Sequence, residues 1–100
     1  NSRERILRPI LLRLAAVYLT QGKRSGGGAR DPVAHFHLSN GARLQRLNWA
    51  ADLSEKGLSQ SAGIMANYLY DARRIEANHE AYRGKGRVVV SKEVRGILKG

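Results

Sequence analysis

The pattern of hydrophobic and polar positions is most distinctive between Asp31 and Trp49. Two short apolar runs flank Asn40-Gly41, a dipeptide that tolerates the positive φ angles of a type I′ turn. Since successive side chains of a strand point to opposite faces, the first run would have two three-residue faces. These faces are Val33, His35 and His37 on one side, and Ala34, Phe36 and Leu38 on the other. The stretch therefore predicts a β-hairpin with a His-x-His pair on one face, and Leu44 and Leu47 predict a less regular return strand.

Upstream, the apolar positions recur at helical spacing. Proline is tolerated in the first turn of a helix and costly further inside, so Pro9 predicts a helix from about Arg8 to Gln21. Gly22 would end that helix. Its apolar face, which predicts packing against a core, consists of Ile10, Leu11, Leu14, Val17 and Tyr18. The glycine-rich basic segment from Lys23 to Arg30 lies between a helix and a strand in the wrong order for a phosphate-binding loop, so it is predicted to be a flexible connector.

Downstream, the pattern predicts several short elements. A short helix near Leu58 to Ala62 precedes a strand from Gly63 to Tyr70, and one continuous helix from Ser54 to Ile75 is the alternative. The side chains that share one face of this strand are Ile64, Ala66, Tyr68 and Tyr70. A helical segment from Asp71 to Ala81 follows. Ser91 is then predicted to be the N-cap of a final helix that runs to Leu98. The prediction is an α+β fold in which a helix is followed by a β-hairpin or strands and then by short helices.

Length and composition narrow the class of protein. A chain of 100 residues forms one small domain at most. It begins at Asn1 and has one methionine, Met65, so we expect a piece of a longer polypeptide. The absence of cysteine excludes disulfides and thiolate zinc sites and fits a reducing compartment. Because no apolar run approaches the roughly 20 residues that span a bilayer, and no signal peptide is recognisable, we expect a cytoplasmic protein without a membrane partner.

The net charge admits a second class of function. Eighteen Lys and Arg against eight Asp and Glu give a formal charge of +10, which attracts polyanions such as nucleic acid or a phosphorylated coenzyme. A small basic nucleic-acid-binding module is therefore the alternative hypothesis. The basic residues are spread along the chain, however, and the 6% of aromatic residues form no recognisable stacking platform.

Beyond these patterns, the sequence resembles the malonyl-CoA decarboxylase family over roughly Pro9 to Leu98. The central matching positions are Pro32-Val33-Ala34-x-Phe36-His37-Leu38-x-Asn40-Gly41-Ala42-x-Leu44-x-Arg46-x-Asn48-Trp49. The match continues in Ser54-x-x-Gly57 and in Ser61-x-Gly63-x-Met65-x-Asn67-Tyr68-x-Tyr70. The glycine triplet at 26–28 is not part of the pattern.

The resemblance implies a fold and an activity. Family members join an N-terminal helical domain to a C-terminal catalytic domain with an acetyltransferase-like (GNAT) fold, and they convert malonyl-CoA into acetyl-CoA and CO2 in fatty acid metabolism. They use neither a metal nor an organic cofactor. Residues 1–100 would be the C-terminal fragment of that catalytic domain, without the helical domain and the first part of the catalytic domain. The resemblance also implies a homo-oligomer, and we expect the fragment alone to be inactive.

The resemblance also implies two site residues. The family's catalytic histidine falls on His37, as proton donor or carboxylate-binding residue, and its tyrosine falls on Tyr70, which can fix the imidazole tautomer or bind an oxyanion. A catalytic serine, a supporting glutamate and the coenzyme-binding loop would lie upstream, so no coenzyme-binding residue is assigned here.

Without the resemblance, each candidate has a structural interpretation. A histidine on its own is more often a satisfied structural residue than a catalytic one, and the His-x-His pair could hold zinc only with a third ligand, which the sequence does not place nearby. No metal site is therefore predicted. Trp49 and Tyr68 are interpreted as packing residues. A third hypothesis is an inactive remnant, which turnover of malonyl-CoA by the parent polypeptide would distinguish.

Overall fold

The computed structural model describes residues 2–49 and 63–100, and the helix predicted near Leu58 lies outside these ranges. Within them, four helices and two strands follow one another. Their bounds are α1 Ser2–Gln21, α2 Pro32–Ser39, β1 Arg43–Trp49, β2 Ile64–Leu69, α3 Ile75–Lys85 and α4 Lys92–Lys99. The α+β class is confirmed. No helix in this part of the chain is both long enough and apolar enough to cross a lipid bilayer.

Helix α1 begins earlier than predicted and buries a different side. It starts at Ser2 and contains Pro9 in its interior, where the missing N–H costs one backbone hydrogen bond. Good helix formers before the proline extend the helix in spite of that cost. Ile10 and Leu14, both predicted to be buried, are 51% and 60% exposed. The residues of α1 that pack into the core are Leu11, Leu12, Ala15, Ala16 and Leu19.

The predicted β-hairpin is wrong, because its first arm is helix α2. The carboxylate of Asp31 caps this helix by accepting a hydrogen bond of 2.9 Å from a backbone N–H of the first turn, and Pro32 occupies the first helical position, where no N–H is needed. Asn40 is the C-cap, and Gly41 follows with a φ of 91°. A Cβ at Gly41 would lie 2.5 Å from the carbonyl oxygen of Ile75. Asn40-Gly41 therefore ends a helix and allows a close contact, and it does not turn a hairpin.

Strands β1 and β2 form an antiparallel pair with Trp49 opposite Ile64 at one end. The register shifts between Leu44 and Arg46, and this bulge explains why the apolar positions of β1 do not alternate. The strand predicted at 63–70 is confirmed, so the alternative of one continuous helix through this segment is wrong. A two-stranded sheet is marginal by itself and depends on the helices that pack against it.

Two core clusters hold these elements together. The first lies between α1, the sheet and α4, and its buried members are Ala16, Leu44, Leu47, Ile64 and Val94. The second joins α2, α3 and the loop after α1, and its members are Ala29, Ala34, Leu38 and Tyr82. Two half-buried side chains, Leu19 and Tyr68, pack against both clusters. They link the helix α2 to the sheet.

The last two helices differ in how well the sequence predicts them. Helix α3 begins at Ile75, later than the predicted Asp71, and ends before Gly86, which has a left-handed φ of 65°. Helix α4 agrees with the prediction, since the Ser91 hydroxyl accepts a hydrogen bond of 3.1 Å from the backbone N–H of Val94. Its capping serine also binds β1, which attaches the last helix to the sheet.

Candidate functional site

Helical geometry separates the two histidines of α2. Because successive residues of an α-helix are rotated by about 100°, His35 and His37 point to nearly opposite sides. His35 contacts Tyr82 of α3, whereas His37 contacts Tyr70 just after β2. The predicted His-x-His pair on one face is therefore wrong. Within residues 2–49 and 63–100, no three His, Cys, Asp or Glu side chains gather into a group that could hold a metal ion.

The structure brings the two predicted site residues into direct contact. The Nδ1 atom of His37 lies 2.7 Å from the hydroxyl oxygen of Tyr70, within hydrogen-bond distance. The two rings meet edge to face, with centroids 5.8 Å apart and an angle of 63° between the planes. Residues 33 positions apart in sequence are thus joined by a single hydrogen bond. That contact leaves Nε2 as the ring nitrogen of His37 that can meet a substrate.

The surroundings of this pair are open to solvent on one side. His37 is half-buried, Tyr70 is 43% exposed, and the neighbouring Phe36 is 62% exposed. The Phe36 ring meets the imidazole edge to face at a centroid distance of 5.2 Å. The imidazole is therefore held among aromatic rings while its outer edge remains within reach of another molecule.

A third aromatic residue of the site, Tyr68, is assigned only a packing role by the sequence. Its ring is stacked on the His37 ring, with centroids 4.6 Å apart and planes inclined by 19°. Burial raises the pKa of the Tyr68 hydroxyl, and the nearby negative charge of Asp31 and the Tyr82 hydroxyl raise it further. The Tyr68 hydroxyl therefore stays protonated. The signal for its position was the strand alternation, which puts Tyr68 and Tyr70 on the same face of β2.

Helix α3 fixes the end of α2 that carries His37. The side-chain amide of Asn78 donates to the carbonyl oxygen of Gly41 at 3.2 Å, and the Nδ1–H of His79 donates to the carbonyl oxygen of Ser39 at 2.6 Å. Asn78 is only 2% exposed, so its bond forms in the interior, where hydrogen bonds are electrostatically stronger. These two bonds attach the C-terminal end of α2, which carries His37, to α3.

The backbone after Tyr70 is held by a tight turn. The carbonyl oxygen of Asp71 accepts a hydrogen bond of 2.8 Å from the N–H of Arg74, and its carboxylate lies 3.9 Å from the guanidinium of Arg43 on β1. A surface ion pair of this kind contributes little to stability, but it joins the turn to the neighbouring strand. The turn therefore keeps the Tyr70 hydroxyl beside α2.

His35 belongs to a second, separate cluster. Its Nδ1 atom lies 2.7 Å from the Tyr82 hydroxyl, which also accepts a hydrogen bond of 2.7 Å from the N–H of Ala29. A Cβ at Gly28 would lie 2.8 Å from the His35 ring, so the glycine at this position allows the loop to approach the ring. The loop predicted to be a flexible connector is thus closed by a bridge between Lys23 and Ala29 and attached to α2 and α3.

We predict that protonation of His35 destabilises the fold. Burial lowers the pKa of His35, and the positive charges of Arg24 and Arg83 lower it further. The His35 ring lies 2.7 Å from the Tyr82 hydroxyl, and its protonation would put a positive charge in a partly buried place beside two arginines. The unfolded chain then binds more protons than the folded one, so stability is complete above about pH 6.5 and falls below it.

The measurement is the urea midpoint of the full-length protein at pH 7 and at pH 5. The midpoint should fall more in the wild type than in His35→Asn, whose side-chain oxygen can still accept from the Tyr82 hydroxyl and which does not titrate. Equal changes in the two proteins would show that His35 contributes nothing to the acid sensitivity.

Comparisons with known proteins agree on one family. A family profile described as "Malonyl-CoA decarboxylase C-terminal domain" matches residues 1–100. The curated "Malonyl-CoA decarboxylase, mitochondrial" of Anser anser anser is 42% identical over 88 residues, which is 88% of this chain and 17% of that protein. The protein of the same name from Rattus norvegicus is also 42% identical over 88 residues, with 18% of its length covered.

Solved structures give the same answer. A malonyl-CoA decarboxylase from Rhodopseudomonas palustris is 52% identical, with a TM-score of 0.86 over 91% of this chain and 21% of that one. The malonyl-CoA decarboxylase from Agrobacterium vitis is 44% identical, with a TM-score of 0.91 over 97% of this chain and 24% of that one. The chain thus spans about a fifth of the length of these relatives. On these matches in sequence and in fold, it belongs to the malonyl-CoA decarboxylase family and corresponds to part of its C-terminal domain.

Proposed function

We propose that this chain supplies the C-terminal part of the catalytic domain of an enzyme that converts malonyl-CoA into acetyl-CoA and CO2. The observation that carries the proposal is the contact between His37 and Tyr70, which engages Nδ1 and leaves Nε2 for the substrate. Family membership supplies the substrate, since the relatives that match are named malonyl-CoA decarboxylases.

Decarboxylation of malonyl-CoA requires several groups on the protein, and His37 and Tyr70 can supply some of them. Cleavage of the bond between the carboxylate carbon and the malonyl Cα releases CO2, and the bonding electron pair moves onto the thioester carbonyl as an enolate. A proton must then be delivered to carbon to give the acetyl group. The protein has to hold the carboxylate out of the carbonyl plane, stabilise the developing oxyanion and provide the proton.

His37 suits two of these tasks. An imidazole titrates near working pH and can therefore donate a hydrogen bond or transfer a proton. With Nδ1 facing Tyr70, the Nε2–H of His37 would donate to the departing carboxylate, and the same atom of the protonated ring would deliver the proton to carbon. The Tyr70 hydroxyl accepts from or donates to Nδ1 as the ring changes its charge.

The remaining groups of the reaction would come from the rest of the polypeptide. The resemblance implies a serine and a glutamate, and it places both upstream of this chain together with the coenzyme-binding loop. The acetyltransferase-like form of the whole catalytic domain, the homo-oligomeric state and the role in fatty acid metabolism are proposals on the same ground. A cytoplasmic location is also only a proposal, because the matches include relatives named mitochondrial as well as bacterial relatives.

The direct test is release of CO2 from malonyl-CoA by the full-length protein, with acetyl-CoA measured as the second product. Equal amounts of the two products support the proposal, and a folded full-length protein that leaves malonyl-CoA unchanged at saturating concentration overturns it. The nucleic-acid hypothesis rests on the net charge and on the arginines of the predicted hairpin, whose first arm is in fact helix α2. It would require affinity for nucleic acid that falls steeply with salt, with a slope of about −0.9 per phosphate contacted.

We predict that residues 1–100 alone have no decarboxylase activity, because His37 can donate a proton but cannot bind and orient the thioester without the other groups. The purified chain should release no CO2 above the background of malonyl-CoA in buffer, at concentrations where the full-length protein is measurably active. Turnover by the isolated chain would show that the upstream residues are dispensable.

A further inference from the structure

Tyr68 has the closest ring-to-ring contact of the residues around His37. Its stacked arrangement, at 4.6 Å and 19°, differs from the edge-to-face contacts that the same imidazole makes with Tyr70 and Phe36. A stacked ring covers one whole face of the imidazole. The stack uses neither ring nitrogen of the histidine, and a tyrosine face also attracts a protonated imidazole, so the contact can form in both protonation states.

We propose that Tyr68 is a positioning residue that sets the plane of the His37 ring, an inference that rests on the proposed function of His37. A histidine ring on a fixed backbone has two rotatable bonds, and a single hydrogen bond does not fix both. The bond to Tyr70 decides which side of the ring carries Nδ1. The stack on Tyr68 decides the tilt of the ring and hence the direction in which Nε2 points.

The support under this stack is rigid. Tyr68 is one of the two half-buried side chains that pack against both core clusters, so its ring cannot move without disturbing the sheet and α2 together. Burial and the charge of Asp31 raise the pKa of its hydroxyl, which keeps the ring neutral at the pH of any ordinary assay. The Tyr68 ring is therefore a neutral, packed surface on which the His37 ring lies.

The expected loss of kcat follows from the strength of the stacked contact between Tyr68 and His37. An aromatic pair contributes about 0.5–1.5 kcal/mol beyond its buried area, which corresponds to about two- to tenfold in a rate. Replacement of the ring by an aliphatic side chain in Tyr68→Leu should therefore lower kcat about two- to tenfold. KM should change little, because the stack orients the histidine and does not hold the coenzyme.

Two further variants separate positioning from packing. Tyr68→Phe keeps the flat ring and should restore most of the rate that Tyr68→Leu loses. Leu19→Ala is the matched control, since Leu19 also packs against both clusters and is an aliphatic residue of α1 with no ring to stack on His37. It should lower the unfolding midpoint without lowering kcat. Equal losses of kcat in Leu19→Ala and Tyr68→Leu, or no recovery in Tyr68→Phe, would overturn the inference.

A spectroscopic measurement tests the stack without relying on activity. With histidine labelled at Cε1 in the full-length protein, the His37 signal is the one that disappears in His37→Asn. Because the two rings are stacked at a centroid distance of 4.6 Å, the ring current of residue 68 should displace this signal in the wild type and in Tyr68→Phe, and the displacement should be lost in Tyr68→Leu. An unshifted signal in the wild type overturns the inference even if Tyr68→Leu does not fold.

The same set of proteins separates this inference from the proposed function. If His37→Asn retains full activity, the proposed function of His37 fails, and the NMR signal still reports whether the stack exists. If His37→Asn is inactive while Tyr68→Leu has the wild-type kcat, the positioning role alone is wrong.

Discussion

Replacement of His37 by asparagine should lower kcat for malonyl-CoA by about 10²–10⁴-fold, the usual contribution of a positioned general acid. The asparagine side chain ends near the place of Nδ1, so it can keep a hydrogen bond to Tyr70 while it lacks an equivalent of Nε2. The variant therefore removes the atom that would face the substrate and leaves the rest of the site in place. KM should change by little, because the proposed coenzyme-binding loop lies upstream of this chain.

The matched control is His35→Asn, the same substitution two residues away on the same helix. His35 points to the opposite side of α2 and contacts Tyr82, so its loss should leave kcat within about twofold while altering stability in acid. Steady-state kinetics of the two full-length variants at pH 7 make the comparison. Near wild-type decarboxylation by His37→Asn would refute the role of this histidine, whatever the value for His35→Asn.

The local sequence carries signals for helix α2 as well as signals for a hairpin. Asp31 followed by Pro32 is a helix N-terminus, and Asn40-Gly41 suits a helix C-terminus as well as a type I′ turn. Over only six residues, the run Val-Ala-His-Phe-His-Leu fits the periods of a strand and a helix about equally. Contacts distant in sequence also hold the chain just after α2, among them the close approach of Gly41 to Ile75.

The sequence predicted the last helix and the strand at 63–70 better than it predicted which side of a helix is buried. The capped helix after Ser91 and the strand around residues 63–70 are confirmed because each has a local signal, a capping hydroxyl in one and alternation in the other. The buried side of α1 depends on where the sheet and α4 lie, which local spacing does not contain. Leu14 fits the predicted stripe and is nevertheless 60% exposed.

The distinction between local sequence signals and tertiary packing applies to the site as well. The resemblance gave His37 and Tyr70, and the structure joins them at 2.7 Å with His37 on a helix where a strand was predicted. A histidine on a helix and a tyrosine beyond a strand approach each other only when α2 packs beside β2, so the contact depends on the tertiary fold. The stack on Tyr68 depends on the same packing, although the shared face of the two tyrosines could be recognised from their spacing.

Replacement of Tyr70 by phenylalanine should lower kcat by about ten- to a hundredfold, with a smaller effect on KM. The variant keeps the ring and deletes the hydroxyl that lies 2.7 Å from Nδ1 of His37. A hydrogen bond to a charged partner contributes about 1.5–3 kcal/mol, and the imidazole is charged when it carries the proton for the enolate. The loss should therefore fall on the steps in which His37 is protonated, and it should change the pH profile of kcat.

The combination with His37→Asn decides how Tyr70 acts. If its hydroxyl works through the imidazole, Tyr70→Phe should cost little further activity in the His37→Asn background, because the partner it orients is already gone. A full additional loss would instead show that the hydroxyl meets the substrate itself, as an oxyanion ligand. Wild-type kcat in the single variant Tyr70→Phe would exclude both roles and leave the 2.7 Å contact as a structural one, because neither a proton-transfer partner nor an oxyanion ligand can be removed without slowing the reaction.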